Sequence, residues 1–232
     1  MSDQQLTDRD MKILGFLARY RAATDLHIGK EAFDDNSDPN AVRNIDRVMR
    51  RLERKQLVKR VRCSDQLKYF VLKRRAFRLL GLRPRTVRSL TEQSLPVVLA
   101  IASYCVARGL KRMTHQEFLE DYPELWRPGL RSSSYVLVDR ETSPKLELLL
   151  VDRGGAARRI RSRVRRVVGQ RIGVPDFESL IEDGCFRITV LTGTPEQQAK
   201  IEYQIERESF APIAVGTALV HELADLLLLR KN

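Results

Sequence analysis

The stretch from Pro39 to Lys55, PNAVRNIDRVMRRLERK, constrains this chain most, because two incompatible demands share one 3.6-residue period. At 100° per residue, Ala41, Val42, Ile45, Val48, Met49 and Leu52 fall on one face of a helix. Asn40, Arg43, Arg47, Arg50, Arg51 and Arg54 fall on the other. Such a helix buries its apolar stripe against a core and leaves a guanidinium row outside. Asp38 is placed to cap it, Pro39 fits its first position, and Asp46 lies on its flank.

The flanking sequence supplies that core. LTDRDMKILGFLARY reads as a helix capped by Thr7 with Asp10 three residues on, and ATDLHIGKEAF as a second, shorter helix capped by Thr24. After the Arg-rich helix, LVKRVR and LKYFVL around CSDQ read as a two-stranded hairpin. A helical KRRAFRLLGL ends at Gly81. Three helices and a hairpin is the order of a winged helix-turn-helix, which predicts a DNA-binding domain over residues 1–83. The groove-facing residues expected are Asn40, Arg43, Arg47, Arg50, Arg51 and Arg54, with Arg60, Arg62 and Lys68 of the hairpin near phosphates.

Charge supports a polyanionic partner. The net charge is +12, and residues 1–86 hold most of it, with 21 Lys and Arg against 11 Asp and Glu; the remainder is nearly balanced, at 21 against 19. Basic surface helices are often only solvated. The position of this one, third after a turn and directly before a basic hairpin, favours double-stranded DNA.

Residues 84–232 read as a second domain. After a polar stretch beginning at Pro84, the elements run α-β-β-β-α-β-α-β: a helix over LPVVLAIASYCVARG, strands at LKRMT, SSYVLVD and KLELLLVD, and a helix from Ala156 to Gln170. A strand FRITVLTGT, a helix from Pro195, a strand FAPIAVGT and a helix HELADLLLLR complete the order. The fold class expected is α+β, a winged helix followed by an α/β domain with a central mixed sheet. From Arg153 to Arg171 there are eight arginines and no acid. Arg158, Arg159, Arg161, Arg163, Arg165 and Arg166 surround an apolar face of Ile160, Val164, Val167 and Val168. Three uses stay open: a packed helix with a solvated back, a second nucleic-acid surface, or a dock for an acidic partner. A membrane-surface role is disfavoured, because the apolar side is small and has no Trp or Phe.

Two motifs resemble a known family. Leu6, Thr7, Arg9, Asp10, Leu52, Leu57, Val58, Tyr69 and Leu79 to Gly81 match the winged-helix portion of the replication-relaxation family, proteins of plasmids and integrative elements. Downstream, Asp152, Arg153 and Gly154 match that family's strand end, while Leu150 stands for its usual Glu and Gly155 for its Thr or Ser. The resemblance implies a transcriptional regulator or a replication or transfer accessory factor of a mobile element. Winged helices commonly bind as dimers on paired half-sites, which predicts a homodimer with residues 84–232 as the place of self-association.

The element order of the second domain also resembles the restriction-endonuclease-like fold. A nuclease of that kind needs paired carboxylates for Mg²⁺ and a nearby Lys. Asp139, Glu147 and Asp152 are the candidates, but Leu149 and Gly154 stand where the Lys belongs. No enzyme, cofactor or metal is therefore expected; a divergent Mg²⁺-dependent nuclease is the alternative. His27, His115 and His221 are isolated, and His27 is expected to be partly exposed. Cys63, Cys105 and Cys185 are far apart and odd in number, which argues for reduced thiols and a cytoplasmic location. No apolar run is long enough for a membrane span.

Overall fold

The structure, a computed structural model, describes residues 6–33, 41–63, 67–82, 90–128, 130, 134–138 and 144–228. The chain divides into two compact units between Ala102 and Ser103, within helix α5 (Leu95–Ala107). The boundary expected after residue 83 lies outside the described residues.

In the first unit α1 (Asp8–Tyr20) starts on the expected capping box. Asp10 N donates to Thr7 Oγ1 at 3.3 Å and Thr7 N to Asp10 Oδ2 at 3.1 Å. Ile13, Leu14, Phe16, Leu17 and Tyr20 are buried. The second helix, α2 (Asp25–Ala32), opens with Thr24 N donating to His27 Nδ1 at 3.2 Å. His27 is buried, not partly exposed as its isolation in the sequence led us to expect. A Cβ on Gly29 would sit 3.0 Å from Ile45 Cδ1, so the absence of a side chain there lets α3 (Ala41–Arg54) approach α2 closely. Ile45, Val48, Met49 and Leu52 form the buried stripe of α3, each contributing about 1.5–3 kcal/mol by removal from water. The side chains of residues 41 and 42 lie outside the described set.

The hairpin pairs β1 (Val58–Arg62) with β2 (Lys68–Leu72) in antiparallel register, Val58 opposite Leu72 and Arg62 opposite Lys68. The segment joining α1 to α2 reaches it. Ala23 N donates to Phe70 O at 3.1 Å and Phe70 N to Ala23 O at 2.8 Å. Lys73 N donates to Leu57 O at 2.8 Å, and α4 (Arg74–Leu79) follows, ending at Gly81 with φ +68°.

The second unit is built on a four-stranded mixed sheet in the order β3 (Tyr135–Val138), β4 (Lys145–Val151), β5 (Phe186–Thr192), β6 (Ala214–Leu219). β3 is antiparallel to β4; β4, β5 and β6 are parallel. The strand expected at LKRMT contracts to a single bridge, Arg112 to Val136. α6 (His115–Asp121) and a 3-10 turn (Pro123–Leu125) precede β3, α7 (Ala157–Gly169) and α8 (Pro175–Glu182) connect β4 to β5, α9 (Pro195–Glu206) connects β5 to β6, and α10 (His221–Leu228) follows β6. The near-continuous apolar runs LELLLV and ITVLT are those of parallel strands buried on both faces. On one face Leu146, Leu148, Phe186, Ile188 and Val190 pack with Ile160 and Val164 of α7, Phe177 of α8 and Ile201 of α9. The class is α+β, with an antiparallel hairpin separate from the mixed sheet.

Candidate nucleic-acid interface

The buried stripe of α3 fixes what its other face presents. Arg43, Arg47, Arg50 and Arg54 are all exposed. At 100° per residue they lie within about 60° of arc, and eleven residues at 1.5 Å each carry the row over about 16 Å. That is a straight edge of guanidinium groups on a rigid element.

The arginines expected on this surface divide by what holds them. Arg51, placed on the outer row by periodicity, turns instead towards α1, where its Nη2 meets Oδ1 of the buried Asp10 at 2.5 Å. One carboxylate thus caps α1 and anchors α3. Arg60 also turns inward. Its Nη2 is 3.0 Å from Asp46 Oδ1, its backbone N donates to Glu53 Oε1 at 3.3 Å, and its guanidinium lies 5.4 Å over the Phe70 ring. Asp46 also takes Arg50, Nε to Oδ2 at 2.8 Å, so the flank acid holds both the outer row and the hairpin. Lys68 is half-buried and pairs with Asp25 of α2 at 2.9 Å. These are packing roles: in each case a cation near a carboxylate that is partly or fully withdrawn from water satisfies that charge.

Arg43, Arg47, Arg54 and Arg62 remain, exposed and with no ion pair among the described residues. Asn40 lies outside the described residues. Lys59, which the sequence reading passed over, is exposed on β1 between the buried Val58 and the half-buried Arg60. The apolar Val58 just before it, whose burial turns Lys59 to the opposite face, was the signal that could have found it. The surface that emerges is narrower than the sequence row: three unpaired arginines on α3, Arg50 shared with Asp46, and Lys59 and Arg62 on the hairpin.

The basic helix of the second unit is thinned in the same way. Arg161 donates to Gln204 Oε1 at 2.9 Å and its Nε is 3.3 Å from Glu208 Oε2; Arg165 pairs with Glu208 as well. Arg163 Nη1 donates to Val151 O at 3.0 Å. Only Arg158, Arg159 and Arg166 stand exposed on α7 without such a partner among the described residues. Arg171, just beyond it, is fully withdrawn from water. Its guanidinium lies 5.3–5.8 Å from the rings of Tyr135, Phe177 and Phe186, and it donates to Tyr135 Oη at 2.6 Å and Val167 O at 2.8 Å.

The carboxylates considered for metal chemistry are occupied within the fold. Glu147 is fully buried on β4, where it accepts from Tyr104 Oη at 3.1 Å, from Arg187 Nε at 3.0 Å and from the Thr189 hydroxyl. Burial and the adjoining Glu147 charge push the Tyr104 phenol up to about 12. Asp152 accepts from Gly154 N at 3.1 Å and Gln197 Nε2 at 2.9 Å. Asp139 lies outside the described residues. Among the described residues no group of three or more His, Cys, Asp or Glu could hold a metal ion. No described helix is long and apolar enough to cross a membrane.

Comparison with protein-family models, with curated proteins and with solved structures finds no match to this chain.

Proposed function

We propose that the protein binds double-stranded DNA in a sequence-specific way through a winged helix-turn-helix in its first unit, and is not an enzyme. The observation that carries this reading is the exposed row Arg43, Arg47, Arg50 and Arg54, on a helix whose opposite face is buried, beside a hairpin that exposes Lys59 and Arg62. A major groove about 12 Å wide admits one helix, and arginine is the side chain best matched to guanine edges and to phosphates. α3 is the element entering the groove in this reading, and the hairpin is the wing on the flanking backbone. The resemblance of residues 6–81 to the replication-relaxation family supports the same role, regulation or accessory action for a cytoplasmic mobile element.

The test is binding of the purified full chain to the DNA upstream of its own gene against random duplex, at two salt concentrations and with Mg²⁺ present. Tight binding confined to the upstream duplex, which stays intact, is the expected result. Replacement of Arg47 by Ala then weakens upstream DNA far more than random DNA. Equal and steeply salt-dependent affinity for both duplexes refutes sequence-specific recognition. Cutting of the duplex refutes the non-enzymatic reading.

A further inference from the structure

The mixed sheet ends on β6, and this edge differs from the other one. At the β3 edge the chain returns through the Arg112–Val136 bridge, and Met113 N donates to Tyr135 O at 2.8 Å. Among the described residues no strand lies outside β6. An edge strand leaves a row of backbone N–H and C=O groups pointing away from the sheet, a template for pairing with another strand. Proteins usually blunt such an edge with a charge, a proline or a bulge. The six residues of β6, AVGTAL, contain no charge and no proline, and they pair with β5 in unbroken register.

Burial agrees. Ala218 is the one buried residue of β6; Val215, Thr217 and Leu219 are half-buried, and Ala214 and Gly216 are exposed. Among the described residues a Cβ on Gly216 meets nothing within 4 Å, and its φ is not in the left-handed region. A strand glycine often marks a bulge, a tight bend or the close approach of another backbone, and β6 pairs with β5 without a bulge.

We propose that β6 is the seam of a homodimer, pairing antiparallel with β6 of a second copy to make one continuous eight-stranded sheet. The sequence is complementary to itself in this arrangement. About a two-fold axis at Gly216, which keeps opposed side chains on one face of the sheet, Gly216 meets its own copy, Val215 meets Thr217 and Ala214 meets Ala218. No like charges face each other, which a second copy of a charged strand could not avoid. α9 packs chiefly on β6 and, less, on β5, so it flanks this edge of the sheet. Joining two sheets at a strand spacing of about 4.8 Å brings the two α9 helices alongside each other on one face of the seam. Those helices add area that a single strand pair lacks. This inference does not rest on DNA binding.

The experiment is the mass of the full chain in solution by light scattering over a concentration series, for the wild type, Ala214→Lys, and Ala214→Lys with Gly216→Lys. Both positions are exposed, so the lysines are accommodated in the single subunit; far-ultraviolet circular dichroism checks that they are. Ser162→Lys, an exposed change on α7, serves as the charge control. The expected result is a dimer for the wild type and the control, with dissociation at least about tenfold easier in the double variant. If that variant does not fold, Ala214→Lys alone decides. A wild type that stays monomeric at every concentration overturns the proposal, and so does a dimer indifferent to the lysines.

Discussion

On the proposed DNA-binding function, removing an acid from beside the arginine row should strengthen DNA binding by an amount the geometry sets. Asp46 holds Arg50 at 2.8 Å and Arg60 at 3.0 Å, so the three groups together present one net positive charge. Asp46→Asn presents two. Each added phosphate neutralised steepens the dependence of log affinity on log salt by about 0.9, which at ~0.1 M salt, referred to 1 M, amounts to about eightfold tighter binding. The loss to the fold falls on the half-buried Arg60, which keeps Glu53 as its carboxylate, and is about 1–3 kcal/mol. Arg50 is largely exposed, and pairs of this kind contribute less than about 1 kcal/mol. Fluorescence anisotropy on a labelled duplex across a salt series measures slope and affinity together, and urea unfolding measures stability. An unchanged slope in a folded Asp46→Asn protein, or weaker binding, refutes the placement of α3 against the phosphates. It would mean that Asp46 matters by holding Arg60 and the hairpin, and not by its charge.

Two further predictions concern the fold. His27 is buried and its Nδ1 accepts a hydrogen bond from Thr24; burial first, and Lys30 second, lower its pKa from the ordinary 6.5 to about 4. The unfolded chain therefore takes up a proton that the folded one refuses, so His27 stability is present above pH 6.5 and is lost as pH falls towards 4, on the order of 3 kcal/mol in all. Urea midpoints between pH 7 and pH 4 should fall in the wild type and fall less in His27→Gln; parallel curves would disprove the assignment. In the second unit, Tyr135→Phe takes a hydrogen-bond partner from the buried Arg171, whose Nε already has none. It should destabilise by about 1–3 kcal/mol. Arg171→Met removes the buried charge itself and should be within about 1 kcal/mol of neutral or stabilising. Chemical denaturation of the two single variants and the double variant checks this, and an Arg171→Met protein that loses several kcal/mol would show the cation to be the better core.

Elements with a strong period were legible in the sequence, and α3, the hairpin and β4 fall within a few residues of where their patterns put them. The cap of α1 was legible too, because Thr7 and Asp10 act on each other across only three residues. α8 escaped the reading: its one apolar face is two buried residues, Phe177 and Ile181, too few for a period to register. Partners across the chain escaped it entirely. Arg51 and Arg54 look alike on a helical wheel, yet one is tied to Asp10, 41 residues away, and the other is not. A wheel records direction from the axis and knows nothing of the neighbouring helix. The same blindness hid Arg171, whose aromatic cage is assembled from β3, α8 and β5.

The two backbone hydrogen bonds between Ala23 and Phe70 have a mechanical consequence. They make the hairpin an extension of the turn between the first two helices, and Arg60 ties the same hairpin to α3. The arginine row and the strands of the hairpin therefore behave like the fixed jaws of a gauge and not like a hinged clamp. A gauge cannot adapt to what it measures. On the proposed function, a duplex spanning both jaws has to supply the matching curvature itself, and sequences that bend readily at that point would be favoured even where no side chain touches a base.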